Sequence, residues 1–436
     1  PAVDIVRLPT PAITSHQGVN VSQGLGNMNV SSGLHTAGHN GSGITVAVVD
    51  VGFDVSNPEI SDHVVGFKNF ENDGDADDQD DNTTGLHGTA VAELIVDTAP
   101  NVSLLLYEAS TGTQIGAAAE HITENTSADV ASMSLGVPVG PFDGTSALDG
   151  ALEASYNSGV TWFVSSGNYA DGQHYHQTWS DGDGNGWMNV SSGGESIKVN
   201  ASREFDLYVS WADEENDVRY EDYDVYLNQS GSDPPRSTER QSPHRPVEKL
   251  IDVAPGEYDL RIRNFSANGT ADFDIFISGK ATLNPSTSSR SVARPATEET
   301  AMAVGAVRYW NNDLEPFSSQ GPTVDGRVKP QLVAPDGVET SQSTDSGLNP
   351  FFGTSAAAPH AAGVAALVLD SVDNSISPNE LKHSLQESAT RLPGAVPNNQ
   401  TGFGLVNATG AIEAAAGSPD DTTLSIEQFP GITTGD

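Results

Sequence analysis

The hydrophobic positions of this chain follow two patterns, and the first predicts a parallel sheet. Near the beginning and again near the end, short apolar runs alternate with segments of helical period. The stretch 43–50 is almost continuously apolar and ends on an acid, which is typical of a strand buried on both faces. We therefore expect an α/β domain whose sheet carries helices on both faces, with strands such as 43–49 and 102–107 and helices such as 112–125 and 148–158.

The second pattern occupies residues 171–294, where apolar and polar residues alternate with a period of two. Gly, Pro and Asn separate the runs, so we expect an all-β sandwich or jelly roll inserted into the α/β domain, with strands at 205–211, 223–227, 257–263 and 271–277. The domain prediction is then an N-terminal arm or propeptide remnant at 1–40, an α/β domain at 41–170 and 295–416, the insert at 171–294, and a polar tail at 417–436.

Three polar residues in the α/β part are candidates for nucleophilic catalysis. Ser355 opens an almost side-chain-free helix, so the positive end of the helix would lie at its hydroxyl. Asp50 ends the first predicted strand, and His87 heads another helix of small residues. Each has a plain alternative, since Ser355 could begin a core helix and the other two could be caps. Together they supply a nucleophile, a base and an orienting carboxylate.

These stretches, in the order Asp, His, Ser, resemble the motifs of the subtilisin-like serine peptidases, the subtilases. Further stretches resemble the same family: a substrate-binding strand, a strand ending in the oxyanion-hole Asn, the segment before the nucleophile and a closing strand, at 132–136, 163–168, 317–322 with 329–335, and 402–408. One departure is Ala90, which stands where many members carry a second His. The insert is similar to the pre-peptidase-like β-domains of secreted peptidases.

The resemblance implies a subtilisin-like fold and a secreted serine endopeptidase that acts on protein or peptide substrates without a cofactor in its chemistry. It assigns catalysis to Asp50, His87, Ser355 and the oxyanion residue Asn168, and substrate binding to Ser134, Leu135, Gly136, Ser166 and Gly167. The alternative is a catalytically silent surface protein of the same fold, whose β-insert binds protein or glycan.

Composition bounds the setting in which this chain works. It has 59 acidic against 19 basic residues and a net charge of −40, so nucleic acid and anionic membranes are improbable partners. An acid excess in a chain with strong apolar periodicity indicates a folded protein from a high-salt environment. Cysteine is absent and no hydrophobic span occurs. We expect an extracellular or cell-surface monomer, in line with sequons at Asn20, Asn29, Asn101, Asn189 and Asn264.

Two acidic stretches are candidate calcium loops. Asp181, Asp183 and Asn185 place oxygens at alternate positions, as in the first half of an EF-hand loop, but Ser192 occupies the twelfth position. The last ligand would have to come from elsewhere, such as Asp222 or Asp224; a plain Asp/Gly/Asn turn cluster is the alternative. The run 71–82 is either a calcium loop or, as we prefer, a solvated acidic loop.

Overall fold

The structure is a computed structural model that describes residues 23–70, 86–191, 193–211, 221–229, 236–238, 246–267 and 271–417. Its helices are α1 (Ser32–Thr36), α2 (Leu86–Thr98), α3 (Gly112–Asn125), α4 (Ala147–Asn157), α5 (Thr354–Ser371), α6 (Pro378–Ser388) and α7 (Ala408–Gly417), with a 3₁₀ turn at Thr344–Ser346. Its strands are β1 (Thr45–Asp50), β2 (Val64–Asn69), β3 (Ser103–Glu108), β4 (Val130–Met133), β5 (Thr161–Ser165), β6 (His174–Thr178), β7 (Ile197–Ala201), β8 (Phe205–Trp211), β9 (Asp222–Asn228), β10 (Arg236–Ser237), β11 (Val247–Val253), β12 (Gly256–Ser266), β13 (Asp272–Ile277), β14 (Ala281–Asn284), β15 (Met302–Arg308) and β16 (Leu332–Asp336).

Seven parallel strands form the central sheet, in the order β16-β15-β5-β4-β1-β3-β2. Neighbouring residues of β1 face opposite sides: Val46 and Val48 join the core under α2 and α5, whereas Ala47 and Val49 join the core under α3 and α4. Both faces are therefore buried, which explains why the strand reads as a continuous apolar run. The predicted fold class is confirmed.

Helices α2 and α5 lie side by side on one face of this sheet. A Cβ atom at Gly363 would lie only 2.5 Å from the Cβ of Thr98, so the missing side chain lets the two helices approach closely. This contact fixes the helix that carries Ser355 against the helix that carries His87. Among the described helices, none is both long and apolar enough to cross a membrane.

Strands β6 to β14 lie between β5 and β15 in the chain and form two antiparallel sheets. One has five strands, β10-β9-β12-β7-β14, and the other has four, β11-β8-β13-β6. They share an apolar core that includes Leu207, Val225 and Ile275. The predicted sandwich is therefore present, whereas the boundaries at 171 and 294 stay a prediction.

The described part of the N-terminal segment packs against the parallel-sheet domain. Residues 23–29 form turns, and the side chains of Leu25, Met28 and Val30 join the core under α5. The amide of Ala408, at the start of α7, donates to the carbonyl oxygen of Met28 over 2.8 Å. This packing could not be predicted from the sequence, because the three apolar residues of the segment follow neither a helical nor a strand period.

Candidate active site

Asp50 and His87 form a buried pair at the carboxyl edge of the parallel sheet. His87 Nδ1 lies 2.7 Å from Asp50 Oδ1, which also accepts a 2.8 Å hydrogen bond from the amide of Val51. Asp50 is fully buried and His87 is 6% exposed. The start of α2 can approach the loop after β1 because residue 88 is a glycine: a Cβ at Gly88 would lie 2.4 Å from the carbonyl oxygen of Gly52. The Asp50 carboxylate thus fixes the orientation of the His87 ring, with Nδ1 directed at Asp50.

Ser355 is the second residue of α5. The residue before the helix, Gly353, has a φ of 113°, a conformation that side-chain-bearing residues rarely adopt. The Ser355 hydroxyl donates to the carbonyl oxygen of Ser134 at 3.3 Å, and the Ser134 hydroxyl donates to the carbonyl oxygen of Ser355 at 2.9 Å. No hydrogen bond joins Ser355 Oγ to His87 among these described residues. Such contacts often form only in the substrate complex.

Asn168 lies three residues after strand β5 and holds the loop before the nucleophile. Its Oδ1 atom accepts hydrogen bonds from the amide of Thr354 at 3.0 Å and from the Thr354 hydroxyl at 3.1 Å. The same hydroxyl accepts a bond from the amide of Gly167 at 3.2 Å. These contacts fix the orientation of the side-chain amide, so its NH₂ group points away from Thr354. No pattern in the sequence indicated this role of Thr354.

The predicted substrate-binding residues lie on two stretches that run beside the nucleophile. Ser134 and Leu135 continue from the end of β4, and a Cβ at Gly136 would lie 3.3 Å from Ala293 Cβ. The amide of Ser166 donates to the carbonyl oxygen of Val304, and Gly167 adopts a positive φ of 105°. Ser134, Ser166 and Gly167 therefore lie close to Ser355 and Asn168. The side chain of Leu135 is instead buried in the core.

Asp336 is a buried acid at this site that the sequence analysis missed. It ends strand β16 as Asp50 ends β1, so an acid after a buried apolar strand was the available signal. Its Oδ2 atom accepts a 2.8 Å hydrogen bond from the amide of Gly353, and its Oδ1 atom has no partner among the described residues. Burial, with a smaller contribution from Glu315, holds the pKa of the Asp336 carboxyl well above its usual range.

Substitutions of Asp336 are expected to change the free energy of unfolding. Asp336→Ala leaves the buried Gly353 amide without its acceptor, so the free energy of unfolding should fall by about 1–3 kcal/mol. Asp336→Asn keeps an acceptor and removes the proton equilibrium. Because the folded chain binds this proton more tightly than the unfolded chain, wild-type stability is lost as pH rises from about 3.8 towards the folded pKa.

Urea unfolding at several pH values in concentrated KCl tests both variants. Relative to wild type, Asp336→Asn should gain stability steadily as the pH rises from 4 to 8, since it lacks the buried titrating group. A difference that is independent of pH would show that Asp336 ionises with the same pKa in both states.

In the candidate calcium loop, backbone amides donate hydrogen bonds to a side chain of the loop itself. Asp181 accepts hydrogen bonds from the amides of Gly184, Asn185 and Gly186 at 2.9, 3.2 and 2.9 Å. The side-chain NH₂ of Asn185 donates to Asp183 at 2.9 Å and to Glu195 at 2.6 Å. The described residues contain no cluster of three or more acids or histidines arranged to hold a metal ion. The calcium site at Asp181, Asp183 and Asn185 stays a prediction; Ser192 and the acidic run 71–82 lie outside the described residues.

A seven-stranded parallel sheet, an Asp–His pair at its carboxyl edge and a serine at the head of the buried helix α5 define the class of the subtilisin-like serine proteases. The chain belongs to the Subtilase family, whose model matches residues 41–275 and 278–404. Both sequence and structure comparisons agree with this membership.

Among curated relatives, Bacillopeptidase F of Bacillus subtilis is 36% identical over 155 residues, which cover 34% of this chain and 10% of that protein. Serine protease AprX of the same organism is 31% identical over 149 residues, 30% of this chain and 33% of that protein. The matches thus span a third or less of these two relatives.

Among solved structures, the CspB protease of Clostridium perfringens has a TM-score of 0.67 at 19% identity, covering 90% of this chain and 97% of that chain. A lanthipeptide protease has a TM-score of 0.51 at 17% identity, covering 90% and 93%. At these identities the likeness concerns the fold.

Proposed function

We propose that this protein is a secreted serine endopeptidase that hydrolyses peptide bonds in concentrated salt. The observation that carries the proposal is the buried 2.7 Å contact between Asp50 and His87. His87 lies on α2, which packs beside α5, the helix whose second residue is Ser355. A buried carboxylate that orients a histidine is the arrangement that a serine nucleophile needs. Membership in the Subtilase family supports the same reaction.

In the proposed mechanism, His87 Nε2 removes the proton of the Ser355 hydroxyl as this oxygen attacks the substrate carbonyl carbon. Reaching His87 requires the hydroxyl to leave its 3.3 Å contact with the carbonyl oxygen of Ser134. Asp50 keeps the proton of the neutral imidazole on Nδ1 and stabilises the imidazolium that forms. His87 then passes the proton to the leaving amine, and water repeats the sequence to release the acyl group. The proposed steps use residues of the chain and water.

The developing oxyanion would accept hydrogen bonds from the side-chain NH₂ of Asn168 and from the amide of Ser355 in the first turn of α5. Such amides lack a partner within the helix and lie at its positive end. The oxygen of Asn168 is occupied by Thr354, so the side chain presents its donor without having to reorient. Preorganised donors of this kind lower the barrier because no reorganisation is needed during the reaction.

Replacing Asn168 tests the oxyanion assignment. Asn168→Asp retains an acceptor for Thr354 but loses the donor, and Asn168→Ala loses both. We expect kcat to fall about 100- to 1000-fold in either variant, with little change in KM. The free energy of unfolding should fall mainly in Asn168→Ala, which leaves the buried Thr354 amide without its acceptor. A kcat within threefold of wild type in Asn168→Asp would remove Asn168 from the oxyanion site.

The peptide would lie as an added strand along residues 134–136, where main-chain hydrogen bonds supply affinity independent of sequence. Ser166 and Gly167 would line the opposite side. Proteins and peptides are thus the proposed substrates. The stretch 134–136 is held in place at both ends, by the paired contacts of Ser134 with Ser355 and by the bridge between Val137 and Arg294.

The proposed high-salt and extracellular setting rests on the net charge of −40 and on the exposed sequons at Asn29 and Asn101. Raising KCl from 0.1 to 3 M should raise the thermal unfolding midpoint, because the screening length falls from about 10 Å to below 3 Å and self-repulsion decreases. Sucrose, which strengthens burial without screening charge, serves as the control. A midpoint that responds to sucrose but not to KCl would contradict adaptation to salt.

The alternative is a catalytically silent surface protein of the same fold. Its supporting observation is that Ser355 Oγ contacts Ser134 rather than His87. Release of fluorescent peptides from a labelled, unfolded protein substrate in 3 M KCl separates the two. The proposal predicts cleavage by the wild type, and its absence from a folded sample favours the silent protein.

A further inference from the structure

The inserted sandwich presents one sheet to the parallel-sheet domain and the other to the outside. The four-stranded sheet contacts the parallel-sheet domain through an aromatic cluster in which Phe276 of β13 packs on Tyr169, one residue after Asn168, with Phe142 alongside. Its opposite face shares a core with the five-stranded sheet. The remaining face of the five-stranded sheet therefore looks away from the candidate active site.

That outer face carries aromatic and charged residues in rows across the strands. In one row, Arg263 lies between Trp187 and Asp224. In the next row, Tyr226 lies between Arg261 of β12 and Arg236 of β10. An open cavity of about 520 Å³, within the range of small-molecule sites, lies among these rows. Its lining residues are Asp222, Asp224, Tyr226, Arg236, Thr238, Arg263 and Phe265.

The polar groups of this cavity are held by neighbours. The Tyr226 hydroxyl donates to Asp224 Oδ2 over 3.1 Å, and the Tyr226 ring meets that of Trp187 edge-on at 5.4 Å. Trp187 in turn stacks on the guanidinium of Arg261 at 3.9 Å. By contrast, the ring of Phe265 at the rim is 62% exposed. The cavity thus combines a fixed polar floor with an aromatic surface open to solvent.

The charges of the lining indicate the charge of a ligand. Asp222 and Asp224 are balanced by Arg236 and Arg263, on a chain whose net charge is −40. Neither an anion nor a cation is favoured by such a balanced set. A neutral molecule rich in hydroxyl groups is favoured, since carboxylates accept its hydrogen bonds and guanidinium groups donate to its oxygens in fixed geometry.

We propose that this cavity binds a neutral saccharide of one or two rings. The apolar C–H face of a sugar ring would lie on Phe265, and its hydroxyl groups would contact Asp224, Tyr226 and Arg263. A peptide strand is a poorer fit, because it pairs with the edge of a sheet, whereas this cavity opens on a sheet face. Binding here leaves the candidate active site accessible and would hold the enzyme at a glycan-bearing surface or substrate.

The test uses the full chain with Ser355→Ala, which prevents self-digestion, on an array of immobilised mannan, cellulose-derived and chitin-derived oligosaccharides in 3 M KCl. Sulfated glycans and unglycosylated peptides are arrayed beside them. We expect at least one neutral glycan to be retained. Adding Phe265→Ala or Arg263→Ala should weaken its binding tenfold or more; both side chains are exposed, so the fold should survive.

Ile251→Ala is the matched control, since Ile251 is an exposed apolar residue on β11 of the other sheet. It should leave binding unchanged. The proposal is overturned by an array on which no neutral glycan binds, by retention of only sulfated glycans or peptides, or by neutral-glycan binding that survives both Phe265→Ala and Arg263→Ala. None of these outcomes depends on whether the chain cleaves peptides.

Discussion

Replacing Ser355 by alanine is expected to lower kcat/KM for a peptide substrate by about 10⁶-fold, the loss that follows removal of a serine nucleophile from a comparable triad. The change should leave the fold intact, because among the described residues the Ser355 hydroxyl makes one hydrogen bond, at 3.3 Å to the carbonyl oxygen of Ser134. Activity is measured with a fluorogenic peptide in 3 M KCl, and folding is followed by the thermal unfolding midpoint.

Ser371→Ala is the matched control for this variant. Ser371 lies at the other end of the same helix, and its hydroxyl donates to the carbonyl oxygen of Val368 over 2.6 Å. Its loss removes a hydroxyl from α5 without touching the candidate site, so kcat/KM should stay within about threefold of wild type. Similar activity in Ser355→Ala and Ser371→Ala would exclude Ser355 as the nucleophile.

Replacing Asp50 by asparagine should lower kcat by about 10⁴-fold. The side chain keeps its shape, but its NH₂ group can then donate towards His87 Nδ1, which moves the imidazole proton to Nε2 and blocks that nitrogen as a base. The charge that would stabilise the imidazolium is also lost. Since Asp50 is fully buried, solvent cannot replace either effect.

Asp54→Asn makes the same chemical change four residues along the chain. Asp54 lies in the loop after β1, where its Oδ1 atom accepts hydrogen bonds from the amide and hydroxyl of Ser56. Steady-state kinetics of both variants from pH 6 to 10 should show the large loss in kcat only for Asp50→Asn. Equal losses in the two variants would mean that loop structure, rather than orientation of His87, is what the substitutions disturb.

The four proposed catalytic residues lie at or within three residues of the ends of elements that the apolar pattern reveals. Asp50 ends β1 and Asn168 lies three residues after β5, while His87 and Ser355 are the second residues of helices rich in small side chains. Parallel strands bring their carboxyl ends to one edge, so the local pattern indicated a candidate site there, whereas the role of Asn168 was implied by the family resemblance. Helix α3 has the predicted bounds, 112–125, because the apolar pattern also reveals this element.

Other features depend on contacts between distant parts of the chain and have no local signal. The Thr354–Asn168 hydrogen bonds join residues 186 positions apart. Met28 joins the core under α5, and its carbonyl oxygen accepts from the amide of Ala408, 380 positions along the chain. The cavity on the five-stranded sheet needs the registers of β9, β10 and β12, which a period of two predicts for each strand alone but not between strands.

The most direct test of the account is the intact mass of the protein after treatment with a serine-directed fluorophosphonate in 3 M KCl, with Ser355→Ala beside it. An assembled Asp50–His87–Ser355 site predicts one covalent adduct on the wild type and none on Ser355→Ala. The account is contradicted if folded wild-type protein remains unlabelled, or if both proteins gain the same adduct.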